Sequence, residues 1–422
     1  MAPFDLQKCA RPNILALQPY RCARDDYKDD GTNILLDANE NAYGPSLASP
    51  EEAGSSIDLL GLNRYPDPHQ ETLKQLLCDL RNTHTHTPKT LTPAHLFVGV
   101  GSDEAIDALL RCFCVPSRDT ILTCPPTYGM YAVSAQVNDV GIVQVPLTDA
   151  PAFGLDVGAM TAALSSDPRI KLVYICSPGN PTGALIPKAD ITALLRHPTW
   201  NGIVVVDEAY VDFAPDGASL AEWVAEWDNL VVLQTLSKAF GLAGIRLGAA
   251  FAAPPVASLL NNLKAPYNVS SPTSALACQA LSGPGLAVMR ANRDRILAQR
   301  QRLLSALPRI PGVGRFRGGT ASNFLLVEML DVARRPCNRT ALAVYERLAR
   351  HRGVVVRFRG KEHGCTGCLR VTVGTHDEVS RFLDEIRAVL RDVRGMVREA
   401  GEEEKEKGEE EREERDANGV IA

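Results

Sequence analysis

The chain has 422 residues, 45% of them hydrophobic, and a formal net charge of −5. That length and apolar content suit a large core divided between two domains. Residues 401–416 hold ten acidic and four basic residues, a balance of −6, which leaves +1 on the rest and excludes a basic field for nucleic acid. From the amino terminus, residues 1–62 are irregular and polar. Residues 83–95 (THTHTPKTLTPAH) read as a loop insertion. His84 and His86 there are candidate metal ligands, but no cysteine or carboxylate cluster lies nearby, and no metal is expected.

From Leu96 to Ala253 strand-like runs alternate with helical ones, without an internal repeat. This predicts an α/β fold with a mostly parallel sheet covered on both faces by helices, and ligands at the strand ends. The first unit is Phe97-Val98-Gly99-Val100-Gly101-Ser102-Asp103-Glu104-Ala105. It reads as a strand, a glycine turn and a helix whose apolar face is Ile106, Leu109, Leu110 and Phe113. Ser102 suits the helix N-cap, and Asp103 and Glu104 the first turn. Backbone N–H groups at such a start form an anion seat. A dinucleotide turn is the alternative, but G-x-G-x-x-G needs glycine at 104, so the seat reads as one for a single phosphate. Next, Cys124-Pro125-Pro126-Thr127-Tyr128-Gly129 holds Tyr128 in a stiff turn, either as packing or as a lid on a flat ring.

Lys171 to Ser177 reads as a buried strand running into Pro178-Gly179-Asn180-Pro181-Thr182-Gly183, a rigid turn that projects Asn180. Ile203 to Val206 is a β-branched strand ending at Asp207, with Tyr210 three residues on. An aspartate there is costly unless it meets a cation or a donor. A protonated pyridine nitrogen is one such partner. A metal in a nucleotide-hydrolysing site is another, but no G-x-x-x-x-G-K-[ST] loop occurs. The run Leu230 to Leu236 is followed by Ser237, Lys238 and, eight residues beyond the lysine, Arg246. A lysine at a buried strand's end has a lowered pKa and the nucleophilic amine that a Schiff base with an aldehyde requires. The arginine offers a fork for phosphate. Aldehyde and phosphate together describe pyridoxal phosphate (PLP), although surface pairs of these residues are also common.

The longest apolar stretch, Leu247 to Leu260, is broken by Pro254 and Pro255 and is too short to cross a bilayer. With no signal pattern at the amino terminus and eleven irregularly spaced cysteines, a soluble cytoplasmic chain in a reducing compartment is expected, with no membrane partner. From about residue 290 the alternation resumes. It ends in an amphipathic helix with Val379, Phe382, Leu383, Ile386, Val389, Leu390 and Val393 on its buried face. Cys365-x-x-Cys368 with His363 beside it is the one competing signal, for zinc or redox work, but it lacks a second pair, and Cys368 belongs to a strand-like segment. The expected organisation is an amino-terminal arm (1–62), a large domain (63–289), a small α+β domain (290–395) built with the amino-terminal segment, and a tail (396–422) too polar to fold.

These motifs, in this order, resemble the fold-type I PLP-dependent aminotransferases. LQPYRCAR around Tyr20, LDANENAYGPS around Asn39, RYPDP around Tyr65, CPPTYGMY, SPGNPTG, TLSKAFGLAGIRLG and CLRVTVGT narrow the likeness to the histidinol-phosphate branch, over roughly residues 11–395. The resemblance implies that Lys238 binds the cofactor aldehyde and moves the substrate proton, and that Asp207 holds the pyridinium proton. It implies further that Asn180 and Tyr210 bond the ring's phenolic oxygen and that Tyr128 stacks on the ring. Ser237, Arg246 and the amides of Ser102 and Asp103 would take the cofactor phosphate, joined by Tyr65 from a neighbouring subunit of a homodimer. Tyr20, Asn39, Tyr65, Arg357 and Arg370 would contact substrate, although Arg359 lies on the same side as Arg357 if that strand is regular. The family's usual SPNNPTG has Gly179 here, with Asn180 in place. The implied reaction is amino transfer between L-histidinol phosphate and 2-oxoglutarate, giving imidazole acetol phosphate and glutamate. Alternatives are an aromatic amino-acid aminotransferase, a PLP decarboxylase of a phosphorylated amino acid, or a non-catalytic interaction module of the same fold.

Overall fold

In the computed structural model, residues 32–47, 62–149 and 153–394 are described; Tyr20, the first part of the arm and the acidic segment beyond 394 lie outside them. The first strand, β1 (Ile34–Leu35), joins a small sheet treated below. Seven strands follow in one large sheet: β2 (Leu96–Val100), β3 (Thr120–Thr123), β4 (Gly141–Gln144), β5 (Ile170–Cys176), β6 (Ile203–Asp207), β7 (Leu230–Thr235) and β8 (Leu247–Ala252). Their spatial order is β2-β8-β7-β6-β5-β3-β4. The pairs from β7 through β4 are parallel, and β8 alone runs against its neighbours β2 and β7. The sheet is mostly parallel, and the fold is α/β.

The central strands are mostly apolar because both of their faces are covered, with polar residues such as Asp207 and Thr235 at their carboxyl ends. On one face Phe97, Ile121, Leu172, Val205 and Val231 pack with Ile106, Leu109 and Leu110 of α1 (Gly101–Phe113), against which Phe113 is only partly buried. On the other face Val98, Leu122, Val173, Val204, Val206 and Val232 enter the main core. The alternation by twos along each strand decides which core a residue joins. Each fully buried Val, Leu or Phe contributes on the order of 1.5–3 kcal/mol.

After the 24-residue helix Gly283–Ala306 comes a second sheet of β9 (Val313–Arg317), β10 (Phe324–Met329), β12 (Arg357–Phe358) and β13 (Cys368–Thr372), antiparallel in the order β12-β13-β10-β9. The strand between, β11 (Val354–Val355), pairs in parallel with β1. The amino-terminal segment is tied further by Thr372 N–H donating to the Leu36 carbonyl (3.0 Å) and Asn323 Nδ2 donating to the Asn39 carbonyl (2.9 Å). The amphipathic stretch forms a helix over residues 376–394, and all seven residues expected on its apolar face are buried.

The segment expected to be a loop insertion is irregular but anchored. His84 and His86 donate backbone N–H groups to the buried Glu222 carboxylate, and Nε2 of His86 lies 2.9 Å from the Gly217 carbonyl. Among the described residues no cluster of three or more His, Cys, Asp or Glu suited to a metal is present, and no helix is long and apolar enough to cross a membrane. Cys365 and Cys368 are fully buried; burial lifts Cys365 to about 12 and Cys368 above its usual value, so both are thiols rather than reactive thiolates.

Candidate active site

The carboxyl ends of β5, β6 and β7 open into one cavity of about 280 Å³. Its walls carry Asn180 from the turn after β5, Asp207 from the end of β6, and Ser237 and Lys238 from the turn after β7. Ser102, Asp103, Tyr128, Tyr210, Arg246, Asn39, Arg357 and Arg370 line it as well. Of the expected site residues within the described chain, only Tyr65 is outside this lining. It is 81% exposed and stacks on Tyr267 with ring centroids 4.5 Å apart.

Asp207 forms the floor. It is 2% exposed, and burial raises its carboxyl to about 6, even though Tyr131 and the Ala209 N–H donate to it at 2.7 and 3.1 Å. Tyr131 was not expected from the sequence. It is the second residue of the helix Met130–Val137, is fully buried, and stacks on Tyr174 with centroids 4.7 Å apart. Burial and the adjacent Asp207 carboxylate push its phenol well above the ordinary range, which keeps it a donor. The available signal was its place three residues after Tyr128, just inside the helix that follows that turn.

Lys238 is half-buried, and its Nζ donates to the Ala38 carbonyl at 3.0 Å and lies 5.9 Å from the Tyr210 ring centroid. Desolvation and then the charge of Arg370 bring the amine down to about 8. Such an amine is largely protonated at neutrality yet yields its proton readily. The Tyr210 hydroxyl, lifted to about 12 by burial, accepts from Asn39 Nδ2 at 2.9 Å. Asn39 sits at φ 56°, with its N–H on Thr372 Oγ1 (3.1 Å) and its Oδ1 accepting from the same hydroxyl (3.0 Å). Asn39 therefore orients Tyr210, a role the sequence reading, which gave it to substrate, did not contain.

The phosphate seat departs from expectation in one detail. Ser102 is not the N-cap: α1 begins at Gly101, Val100 occupies the cap without a side-chain bond, and Glu104 reaches back to the Val100 N–H. Gly101 has φ +72°, and a Cβ there would stand 2.8 Å from Arg246 Nη2. A Cβ on Gly248 would meet the Ser102 nitrogen at 2.2 Å. Gly101 is needed for its positive φ, and Gly248 because there the start of β8 and the start of α1 touch backbone to backbone. The helix N–H groups thus face the cavity without a side chain between them, beside Ser237 and Arg246. Asp103 bridges two neighbours, accepting from the Tyr128 hydroxyl at 3.1 Å and pairing with Arg246 at 3.5 Å. Tyr128 lines the cavity edge-on to Tyr131, at 5.6 Å and 89°.

Opposite the seat stand the arginines. Arg370 is 5% exposed; Nη1 donates to Asn180 Oδ1 at 2.7 Å, Nη2 donates to the Asp37 carbonyl, and the guanidinium lies 5.4 Å over the Phe324 ring. Arg357 and Arg370 are register partners on β12 and β13, so their side chains share a face. Arg359 lies on that face too, as the alternation predicted, but Glu362 holds it in an ion pair of 2.7 Å. A lowered lysine amine, a buried carboxylate, an anion seat and paired arginines make up the donor set of an aldehyde–phosphate cofactor with an acidic substrate.

The family model for aminotransferase class I and II matches residues 32–386. A histidinol-phosphate aminotransferase of Schizosaccharomyces pombe is 51% identical over 377 residues, covering 89% of this chain and 95% of the relative. One from Saccharomyces cerevisiae is 48% identical over 383 residues, with shares of 89% and 95%. Among solved structures, a histidinol-phosphate aminotransferase from Sinorhizobium meliloti in complex with pyridoxal-5'-phosphate superposes with a TM-score of 0.76 at 23% identity, over 90% of this chain and 97% of that one. An aspartate aminotransferase from Thermus thermophilus with maleate gives 0.75 at 20% identity, over 90% and 99%. At that identity the two solved structures speak for the fold.

Proposed function

The chain belongs to the class I and II aminotransferases, and from that membership we propose that it transfers an amino group between L-histidinol phosphate and 2-oxoglutarate in histidine biosynthesis. The products are imidazole acetol phosphate and glutamate, and the cofactor is pyridoxal 5'-phosphate. Bound in the cavity, that cofactor supplies an aldehyde for the amino group and a ring that accepts electrons. The observation that carries the reading is the meeting of Lys238, Asp207 and the Arg357–Arg370 pair around one cavity of about 280 Å³.

Lys238 is the amine that holds the aldehyde and, when released, the base that moves the proton at the substrate α-carbon. Asp207, kept in place by Tyr131, holds the ring-nitrogen proton. Asn180 and Tyr210 bond the phenolic oxygen, and Tyr128 covers the ring. The α1 N–H groups, Ser102, Ser237 and Arg246 hold the cofactor phosphate. Arg357 and Arg370 present forks to the substrate's dianionic end; Asn39 supports Tyr210, and Tyr20 completes the substrate contacts from outside the described residues. In this reading the active unit is a cytoplasmic homodimer. The exposure of Tyr65 supports its reaching a partner's phosphate seat. The division at residues 62, 289 and 395 is part of the same proposal, supported by the pairing of β1 with β11.

The test is amino transfer from histidinol phosphate to 2-oxoglutarate by the PLP-loaded protein, followed with the visible absorbance of the cofactor. Lys238→Ala should lower turnover by roughly 10³-fold or more. Undiminished turnover in that variant, or none in the wild type, removes the reading.

A further inference from the structure

A second chamber of about 560 Å³ adjoins the catalytic cavity and shares Tyr128, Arg357 and Arg359 with it. Its two walls differ in charge. One is the turn through Pro125, Pro126 and Thr127 with Gln144 and Pro146, and it carries no charged side chain. The other is β12 and the segment after it, which place Arg357, Arg359, Lys361, Glu362 and His363 on the chamber. Glu362 offsets only Arg359, and His363 faces Asp149 at 3.8 Å, so this wall keeps an excess of positive charge.

Two observations separate this wall from an ordinary solvated surface. Lys361 is exposed and makes no hydrogen bond or ion pair among the described residues, so the fold does not use its charge. Arg359 and Glu362 are largely withdrawn from water, at 18% and 26% exposed, yet Arg359 Nε and Glu362 Oε2 are buried with no hydrogen-bond partner among the described residues. A pair held this way keeps a guanidinium at the doorway between the two chambers without saturating it.

We propose that the outer chamber is an anion-holding anteroom, in which Lys361 and Arg359 receive the phosphate-monoester end of the amino donor before Arg357 and Arg370 take it. The proposal rests on the amino-transfer reading and adds residues to it. A wall with net positive charge facing an uncharged one concentrates dianions and speeds their capture. Its reach is about one screening length, ~10 Å at 0.1 M salt. The two substitutions have opposite signs: removing Lys361's charge weakens the field, and removing Glu362's charge releases Arg359 and strengthens it.

The experiment uses PLP-loaded enzyme and histidinol phosphate over a range of ionic strength, with calorimetric binding of inorganic phosphate as a second readout. Lys361→Gln should lower kcat/KM about three- to tenfold at low salt, with the deficit fading as salt rises and kcat holding. Glu362→Gln should raise kcat/KM about twofold under the same conditions, an outcome that damage to the fold does not produce. Phosphate affinity should move in the same two directions. Salt-independent values equal to wild type for both variants, or a loss confined to kcat, overturn the anteroom. Failure of the wild type on histidinol phosphate removes the amino-transfer reading instead, and phosphate binding then still decides whether the chamber holds anions.

Discussion

Replacing Tyr131 by Phe removes one oxygen from a closed interior and leaves the ring stacked on Tyr174. The oxygen lost is the donor 2.7 Å from Asp207 Oδ2, one of two donors opposing the burial that lifts this carboxyl to about 6. A hydrogen bond to a charged group contributes about 1.5–3 kcal/mol, and about 1.4 kcal/mol corresponds to one pH unit of titration. Asp207 in the variant should therefore titrate about one to two pH units higher, near 7–8. The folded carboxyl already titrates above its unfolded value of 3.8. Its stabilising share is thus complete below that value and is lost as pH rises through the folded one. In the wild type the loss is over a little above pH 6; in the variant it continues to about pH 8. The difference in stability between the two cofactor-free proteins should widen from pH 5 to pH 8, by about 2–4 °C in Tm for a chain of this size. Thermal melts at the two pH values measure it. An offset that is the same at both, or absent, refutes the claim that Tyr131 acts by stabilising the ionised carboxylate.

Three other outcomes follow from the same geometry. Arg370→Lys loses the fork that holds Asn180 Oδ1 and the Asp37 carbonyl at once, and KM for both the phosphate and the dicarboxylate substrate should rise about 10–100-fold; steady-state kinetics with each substrate checks this. Thr372→Val takes from Asn39 both bonds of one hydroxyl and should cost about 1–3 kcal/mol of stability and lower kcat by loosening Tyr210, while Thr372→Ser restores both. With the Lys238 amine down to about 8, the rate of PLP uptake by cofactor-free protein should climb with pH and level off above about 8, as stopped-flow absorbance will show. A profile flat from pH 6 to 9 contradicts the lowered amine.

The sequence made legible what strands project from their own ends. Asn180, Asp207 and Lys238 each follow an apolar run, and an α/β sheet delivers such ends to one side, so their meeting was readable without knowing any contact. The neighbours that tune them were not. The Thr372 hydroxyl on Asn39 joins residues 333 positions apart, and no local pattern marks a threonine inside β13 as the support of a tyrosine in the turn after β6. Tyr131 sits amid small and apolar residues, where an aromatic reads as core, and its hydroxyl matters only once Asp207 lies beside it. Ser102 was misplaced by one turn geometry: Gly101 takes the left-handed conformation and starts the helix itself, which moves the serine inside the first turn. The alternation that put Arg359 beside Arg357 held, but its acidic companion three residues on, Glu362, comes from a turn with no periodic signal.

The one reversed strand, β8, has a geometric consequence. Because it runs opposite to β2, Leu247 at its beginning pairs with Val100 at the other's finish, and the Gly101 N–H donates to the Arg246 carbonyl at 2.9 Å. Had β8 followed its neighbours' direction, the residue preceding it would emerge at the opposite rim, about 17–20 Å from the helix that begins at Gly101. Reversal is what lets a guanidinium encoded 145 positions later stand at that helix's first turn. A redesign that keeps every side chain but inverts this strand would separate the two halves of the anion's clasp.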